Sequence, residues 1–150
     1  MIDKQISSIN ILVADDDPDD RFMLKKAIAE NKMKNRVDFV EDGEELMDFL
    51  KHRGKYSGDN AKPRPGLILL DLNMPKKDGR EALTEIKSDP DLRRIPVIIL
   101  TTSKEEEDIL ATYNLGVNSF ITKPVSFDSL IEVVKTIREY WLEIVTCPKN

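Results

Sequence analysis

The sequence predicts a doubly wound α/β fold: five parallel strands covered on both faces by five helices. Three observations carry that expectation. Short apolar runs alternate with longer segments of helical period, the pattern of successive strand–helix units. Five such pairs follow one another along the chain. The run from Leu67 to Asp71 is the most continuous apolar stretch and suits a central strand buried on both faces.

Length and composition agree. The 150 residues fit one domain, read as 1–150 with its core at about 8–146 and no output domain. A hydrophobic share of 40% and a charged share of 34% describe a globular protein, and no apolar run is long enough to cross a bilayer. The start, Met1-Ile2-Asp3-Lys4-Gln5, lacks the features of a secretory signal, so a cytoplasmic location is expected. Cys147 is the single cysteine and has no partner within the chain, which fits a reducing compartment. With 28 acidic residues against 23 basic ones, the charge of -5 disfavours nucleic acid as a partner.

Each element has its own local signal. Ile9 to Ala14 predicts the first strand, and Phe22, Leu24, Ala27 and Ile28 then recur on one face of a helix that Asp17 is placed to cap. Val37 to Val40 predicts a second strand, whose flanking Arg36, Asp38 and Glu41 suit a sheet edge. Asp42 and Glu45 have capping-box spacing and open a helix carrying Leu46, Phe49 and Leu50. The stretch from His52 to Gly66, with Gly54, Gly58, Pro63 and Pro65, predicts a surface loop. His52 has no metal-binding neighbour in sequence and is assigned to solvent.

After the central strand, Asp78 and Glu81 open a helix with Ala82, Leu83 and Ile86 that stops before Pro90, with Gly79 freeing the turn before it. Pro96 to Leu100 predicts a strand ending at Thr101. Ser103 and Glu106 are then expected to cap a helix carrying Ile109, Leu110 and Tyr113. Val117 to Thr122 is the last strand. From Ser126 onward, Leu130, Val133, Val134, Ile137, Trp141 and Ile144 describe a long amphipathic helix that Pro148 ends. Tyr140, Trp141 and Ile144 reach beyond one sheet face, which leaves two readings: a dimer surface, or core packing with fraying.

In an open parallel sheet, ligands bind beyond the carboxyl ends of the strands. Here those ends carry Asp15 and Asp16, Asp71, Thr101, and Lys123 just past Thr122. Carboxylates sharing one crevice repel by about 4 kcal/mol per pair at ~4 Å and an effective dielectric near 20. Lys123 offsets part of that, and a divalent cation such as Mg²⁺ offsets more. Cation and lysine together clamp phosphoryl oxygens, while a carboxylate can attack phosphorus. Asp71 ends the most buried strand, where a rigid backbone fixes the attack angle, and is the expected nucleophile. Taken singly, Thr101 reads as a strand residue, Lys123 as a solvated charge, and Asp15, Asp16 and Asp17 as a turn and cap. Only Asp17 keeps that plain reading once the four strand ends are considered together.

The strings Ile11-Leu12-Val13-Ala14-Asp15-Asp16-Asp17, Leu69-Leu70-Asp71-Leu72-Asn73-Met74-Pro75-Lys76-Lys77-Asp78-Gly79, Leu100-Thr101-Thr102 and Ile121-Thr122-Lys123-Pro124 resemble receiver domains of two-component response regulators. The resemblance covers nearly the whole chain. It implies the flavodoxin-like strand order 2-1-3-4-5. It also implies Asp71 as phosphoacceptor and Asp16 and Asp71 as direct carboxylate ligands of Mg²⁺ or Mn²⁺. Asn73 would ligate through its backbone carbonyl and Asp15 through water. Lys123 would pair with the phosphoryl group. Thr101 would hydrogen-bond a phosphoryl oxygen, Phe120 would be the aromatic switch, and the Lys123–Pro124 bond would be cis.

The Arg64-Pro65 loop, Asn73, the Leu100-Thr101-Thr102-Ser103 run and Glu139-Tyr140-Trp141-Leu142 resemble stand-alone regulators associated with bacterial phytochrome kinases. The implied partners are a sensor histidine kinase of that type, a histidine phosphotransfer protein and a second copy through the last two helices and strands. Phe120 stands where Tyr is frequent, and Thr102 where a smaller residue is frequent. Thr102 is expected to narrow the approach to the phosphorylated site and slow phosphate loss. The chain is expected to be a switch, not an enzyme, assisting only its own phosphorylation and dephosphorylation. Two other functions share part of this residue set. An aspartyl-nucleophile phosphatase normally has a second acid where Asn73 sits. A phosphorylation-independent binding module would normally have lost an acid, the Thr or the Lys.

Overall fold

In the computed structural model, residues 9–146 are described, with side chains as far as Tyr140. The strands are β1 (Ile11–Ala14), β2 (Val37–Val40), β3 (Leu67–Leu70), β4 (Val97–Thr101) and β5 (Ser119–Thr122). The helices are α1 (Pro18–Glu30), α2 (Gly43–Lys51), α3 (Gly79–Ser88), α4 (Glu106–Asn114) and α5 (Phe127–Thr146). All strand pairs are parallel, in the order β2-β1-β3-β4-β5. That is the predicted topology, with β3 central and β2 at an edge.

Strand alternation divides the core into two layers. Leu12, Ala14, Ile68, Leu70, Val97 and Ile99 face α2 and α3, packing on Leu46, Phe49, Leu83 and Ile86. Ile11, Val13, Leu67, Leu69, Ile98 and Leu100 face α1 and α5, packing on Leu24, Ala27, Val134 and Ile137. Among the described residues no helix is long and apolar enough to cross a membrane. The expectations placed on Trp141, Ile144, Cys147 and Pro148 lie outside the described side chains.

Helix starts follow the sequence unevenly. Asp17 caps α1, accepting from the N–H groups of Asp19 (2.8 Å) and Asp20 (3.3 Å). Asp78 and Glu81 form the full capping box of α3. At α2 only half the box exists: Asp42 accepts from Glu45 N–H, but the Glu45 carboxylate turns to Glu41 N–H, Lys55 and the Tyr56 hydroxyl. The expected Ser103–Glu106 cap of α4 is absent. The helix starts two residues later than expected, so Glu105 takes the N-cap position without a side-chain bond, while the Ser103 hydroxyl donates to Asp108.

Three residues expected on buried helix faces are exposed: Phe22, Leu110 and Tyr113. In α4 the inward positions belong to Asp108 and Thr112, so its polar side meets the protein. The 52–66 loop contains two short 3₁₀ turns, Gly54–Tyr56 and Gly58–Asn60. His52 is also built in: it ends α2 in the left-handed region (φ 55°), and its Nε2 lies 2.9 Å from the Lys62 carbonyl.

Candidate functional site

Register brings the first two strand ends together. Ala14 pairs with Leu70, so Asp15 and Asp71 leave neighbouring strands at one level. The ladder continues one step further, with Asp71 N–H donating to the Ala14 carbonyl and Asp15 N–H to the Val40 carbonyl. Both carboxylates are therefore fixed by backbone at the carboxyl edge and are buried. Asp16, the next residue, is exposed. One carboxylate oxygen from each of Asp15, Asp16 and Asp71 lies within 4.8 Å of the other two.

Lys123 arrives from β5, its N–H bonded to the Thr101 carbonyl at 2.8 Å. Its ammonium donates to Asp15 Oδ2 (2.6 Å), Asp20 Oδ2 (2.7 Å) and Asp71 Oδ2 (2.9 Å), which uses all its hydrogens. The other oxygen of Asp71 accepts from Thr101 Oγ1 at 2.7 Å and Asn73 N–H at 3.1 Å. Asn73 Nδ2 donates in turn to Thr101 Oγ1 at 3.4 Å. The Asp71 carboxylate is thus held in one orientation.

Burial pushes the Asp15 carboxyl up from its usual range, more strongly than the Lys123 bond draws it down. Burial alone would lower Lys123, but its bonds to Asp15, Asp20 and Asp71 outweigh that and raise it. Asp15, Asp20 and Asp71 share a single ammonium, and Asp16 adds a further carboxylate beside Asp15 and Asp71, so carboxylates outnumber the ammonium in the crevice. Among the described residues no side chain donates to the Asp16 carboxylate. Hard oxygen donors in surplus, one of them without a protein partner, fit a divalent cation such as Mg²⁺ or Mn²⁺.

The structure brings together Asp15, Asp16, Asp71, Thr101 and Lys123 as the strand-end argument required. Phe120 is half-buried against the α2–α3 side of the core, and its N–H donates to the Tyr113 hydroxyl at 3.1 Å. Thr102 is exposed and lines, with Asp20, Lys123 and Phe127, a cavity of about 210 Å³ beside the crevice. Two corrections follow. The Lys123–Pro124 bond is trans, as are all others described, and Lys123 reaches its carboxylates in that form. Gly79 does not serve a turn: a Cβ there would sit 2.3 Å from the Asp71 carbonyl, so its role is to let α3 approach the site. Asp20 was missed, since an acid in the first turn of a helix is already explained by the helix dipole.

Residues 11–135 match the response regulator receiver domain, and the chain belongs to that family of signalling proteins. Response regulator Rcp1 of Synechocystis is 44% identical over 138 residues, 92% of each chain. The phosphorylated cyanobacterial phytochrome response regulator RcpA superposes with a TM-score of 0.84 at 45% identity, covering 95% of this chain and 99% of that one. The Mn²⁺-bound form of Rcp1 gives 0.83 at 44% identity, over 94% and 99%.

Proposed function

We propose that this chain is a single-domain response regulator, spanning 1–150, whose Asp71 takes a phosphoryl group from a phosphohistidine of a sensor kinase. The observation that carries this reading is the convergence on Asp71: Thr101 donates to one carboxylate oxygen and Lys123 to the other. One Asp71 oxygen attacks phosphorus while the P–N bond to the imidazole breaks, and the imidazole leaves with the electron pair. Lys123 and Thr101 then turn to the phosphoryl oxygens.

Asp15, Asp16, Asp71 and the Asn73 carbonyl would hold Mg²⁺ or Mn²⁺. That ion, when bound, neutralises charge on the transferred group. Similarity to RcpA and Rcp1 favours a phytochrome-type kinase as donor. Onward transfer to a histidine phosphotransfer protein and pairing with a second copy through α4, β5 and α5 belong to the same reading, as does a cytoplasmic location. Phe120 follows Thr101 inward and alters that surface. The chain turns over no substrate of its own.

Incubation with acetyl phosphate and Mg²⁺ tests this. One hydroxylamine-sensitive adduct per chain is expected in the wild type and none in Asp71→Asn. Absence of an adduct, or its persistence in the variant, overturns the reading; sustained hydrolysis of varied phosphate esters points to a phosphatase.

A further inference from the structure

Thr101 is aimed by more than its own strand. Ser103 N–H donates to Thr101 Oγ1 at 3.4 Å, and the Ser103 hydroxyl donates to Asp108 Oδ2 at 2.8 Å. Arg80 closes on the same acid in a fork, Nε to Oδ1 at 2.8 Å and Nη2 to Oδ2 at 2.7 Å. Its remaining nitrogen, Nη1, lies 3.4 Å from the carbonyl of Leu72, the residue after Asp71. The bonds therefore make a circuit from Asp71 through Thr101, Ser103, Asp108 and Arg80 back to Leu72.

Two features separate this circuit from an ordinary surface ion pair. Asp108 is only 9% exposed although its helix has apolar residues, Leu110 among them, turned to solvent. Ser103 lies two residues before the N-cap Glu105, and its hydroxyl hydrogen goes to Asp108 inside the first turn of α4. A two-point Arg–carboxylate fork fixes direction as well as distance.

We propose that Arg80, Asp108 and Ser103 are positioning residues that hold the segment after β4 so that the Thr101 hydroxyl points at Asp71 and at the phosphoryl group it receives. The inference rests on the reading of Asp71 as phosphoacceptor. Arg80 and Asp108 touch neither phosphate nor metal and act through Ser103 on Thr101. Because Leu72 is part of the circuit, Thr101 is aligned to the backbone beside the nucleophile and not merely to its own strand.

The test is a double-mutant cycle on adduct formation from acetyl phosphate at saturating Mg²⁺. Ser103→Ala leaves the Arg80–Asp108 fork intact and so keeps the fold; Asp108→Asn breaks the fork, with a urea midpoint confirming that the variant is folded. Each is expected to slow loading by roughly three- to tenfold, short of the ~10²-fold cost of gross misplacement. In a Thr101→Ala background neither should slow it further. A second measurement needs no turnover: the Thr101 and Ser103 amide resonances of the Mg²⁺-bound protein should shift in Asp108→Asn. Equal slowing with and without Thr101, no slowing at all, or unmoved resonances overturns the proposal while leaving Asp71 as phosphoacceptor. A wild type that forms no adduct overturns both.

Discussion

Lys123 shows how one residue couples stability to the site. Its ammonium faces Asp15 and Asp71, whose side chains are only 6% and 7% exposed. Removing one partner of a buried pair leaves the other charge uncompensated, which costs more than the pair contributes. Lys123→Met is therefore expected to lower the unfolding free energy by about 2–4 kcal/mol in EDTA, with a smaller loss in Mg²⁺, where a cation supplies the missing charge. Urea unfolding in the two buffers measures both, and equal losses would count against a cation in the crevice. Asp108 gives a pH effect. The Arg80 guanidinium, then the Ser103 bond, hold its carboxyl below the usual range, and Arg80 also lies 3.6 Å from Asp78. A depressed carboxyl contributes stability above its unfolded pKa and loses it as pH falls through the folded one. Arg80 is 40% exposed at its side chain, so solvent screens the pair to about 1 kcal/mol. Acid unfolding should show that much extra loss below about pH 4 in the wild type relative to Asp108→Asn. Lys123 was legible in the sequence because it follows a strand; Asp108 was not, because nothing local distinguishes a helical acid that turns inward.

At the scale of elements, α3 carries the closest link between fold and chemistry. Its start was readable because Asp78 and Glu81 satisfy each other's backbone without help from elsewhere. Asp42 caps α2 as read, but the reciprocal half of its box fails because Glu45 is drawn to Tyr56 and Lys55 in the following loop, and the α4 cap was misread because Ser103 turns to Asp108. Apolar periodicity failed in α4 for the same cause. A face can be buried by an Arg–carboxylate fork as well as by Leu and Ile. Gly79 was noticed in the sequence but for the wrong purpose. A methyl there would meet the Asp71 carbonyl at 2.3 Å and Leu72 Cα at 2.6 Å, both backbone atoms with little room to yield. Gly79→Ala should cost about 1–3 kcal/mol by overpacking and, unlike a remote core change of equal cost, slow adduct formation at Asp71. Comparison with Ile86→Val, buried two turns further along the same helix, separates displacement of the nucleophile from loss of stability. Equal loading rates at matched stability would deny α3 its role in placing Asp71.

For the whole molecule, strand order is what turns scattered residues into a site. Asp15 and Asp71 meet because β1 and β3 are neighbours in register, although they lie 56 positions apart in sequence. Strand-end chemistry could be read from sequence because parallel strands point their carboxyl ends one way; Asp20 could not, because its approach to Lys123 depends on how α1 packs beside α5 on one face of the sheet. A cation held by Asp15, Asp16 and Asp71 would tie β1 to β3 only in the folded chain, so its binding adds to global stability. Mg²⁺ at a hundred times its dissociation constant should raise the unfolding free energy by about 2.7 kcal/mol. Asp16 isolates this effect. Its carboxylate is exposed, so Asp16→Asn should leave the metal-free protein within about 0.5 kcal/mol of wild type. The same substitution should flatten the dependence on Mg²⁺ over the range that stabilises the wild type. Titrating the thermal midpoint against Mg²⁺, with NaCl at matched ionic strength as a control, reads the difference. A variant that keeps the full Mg²⁺ response would place the cation elsewhere; one already unstable in EDTA would give Asp16 a structural role that its exposure does not predict.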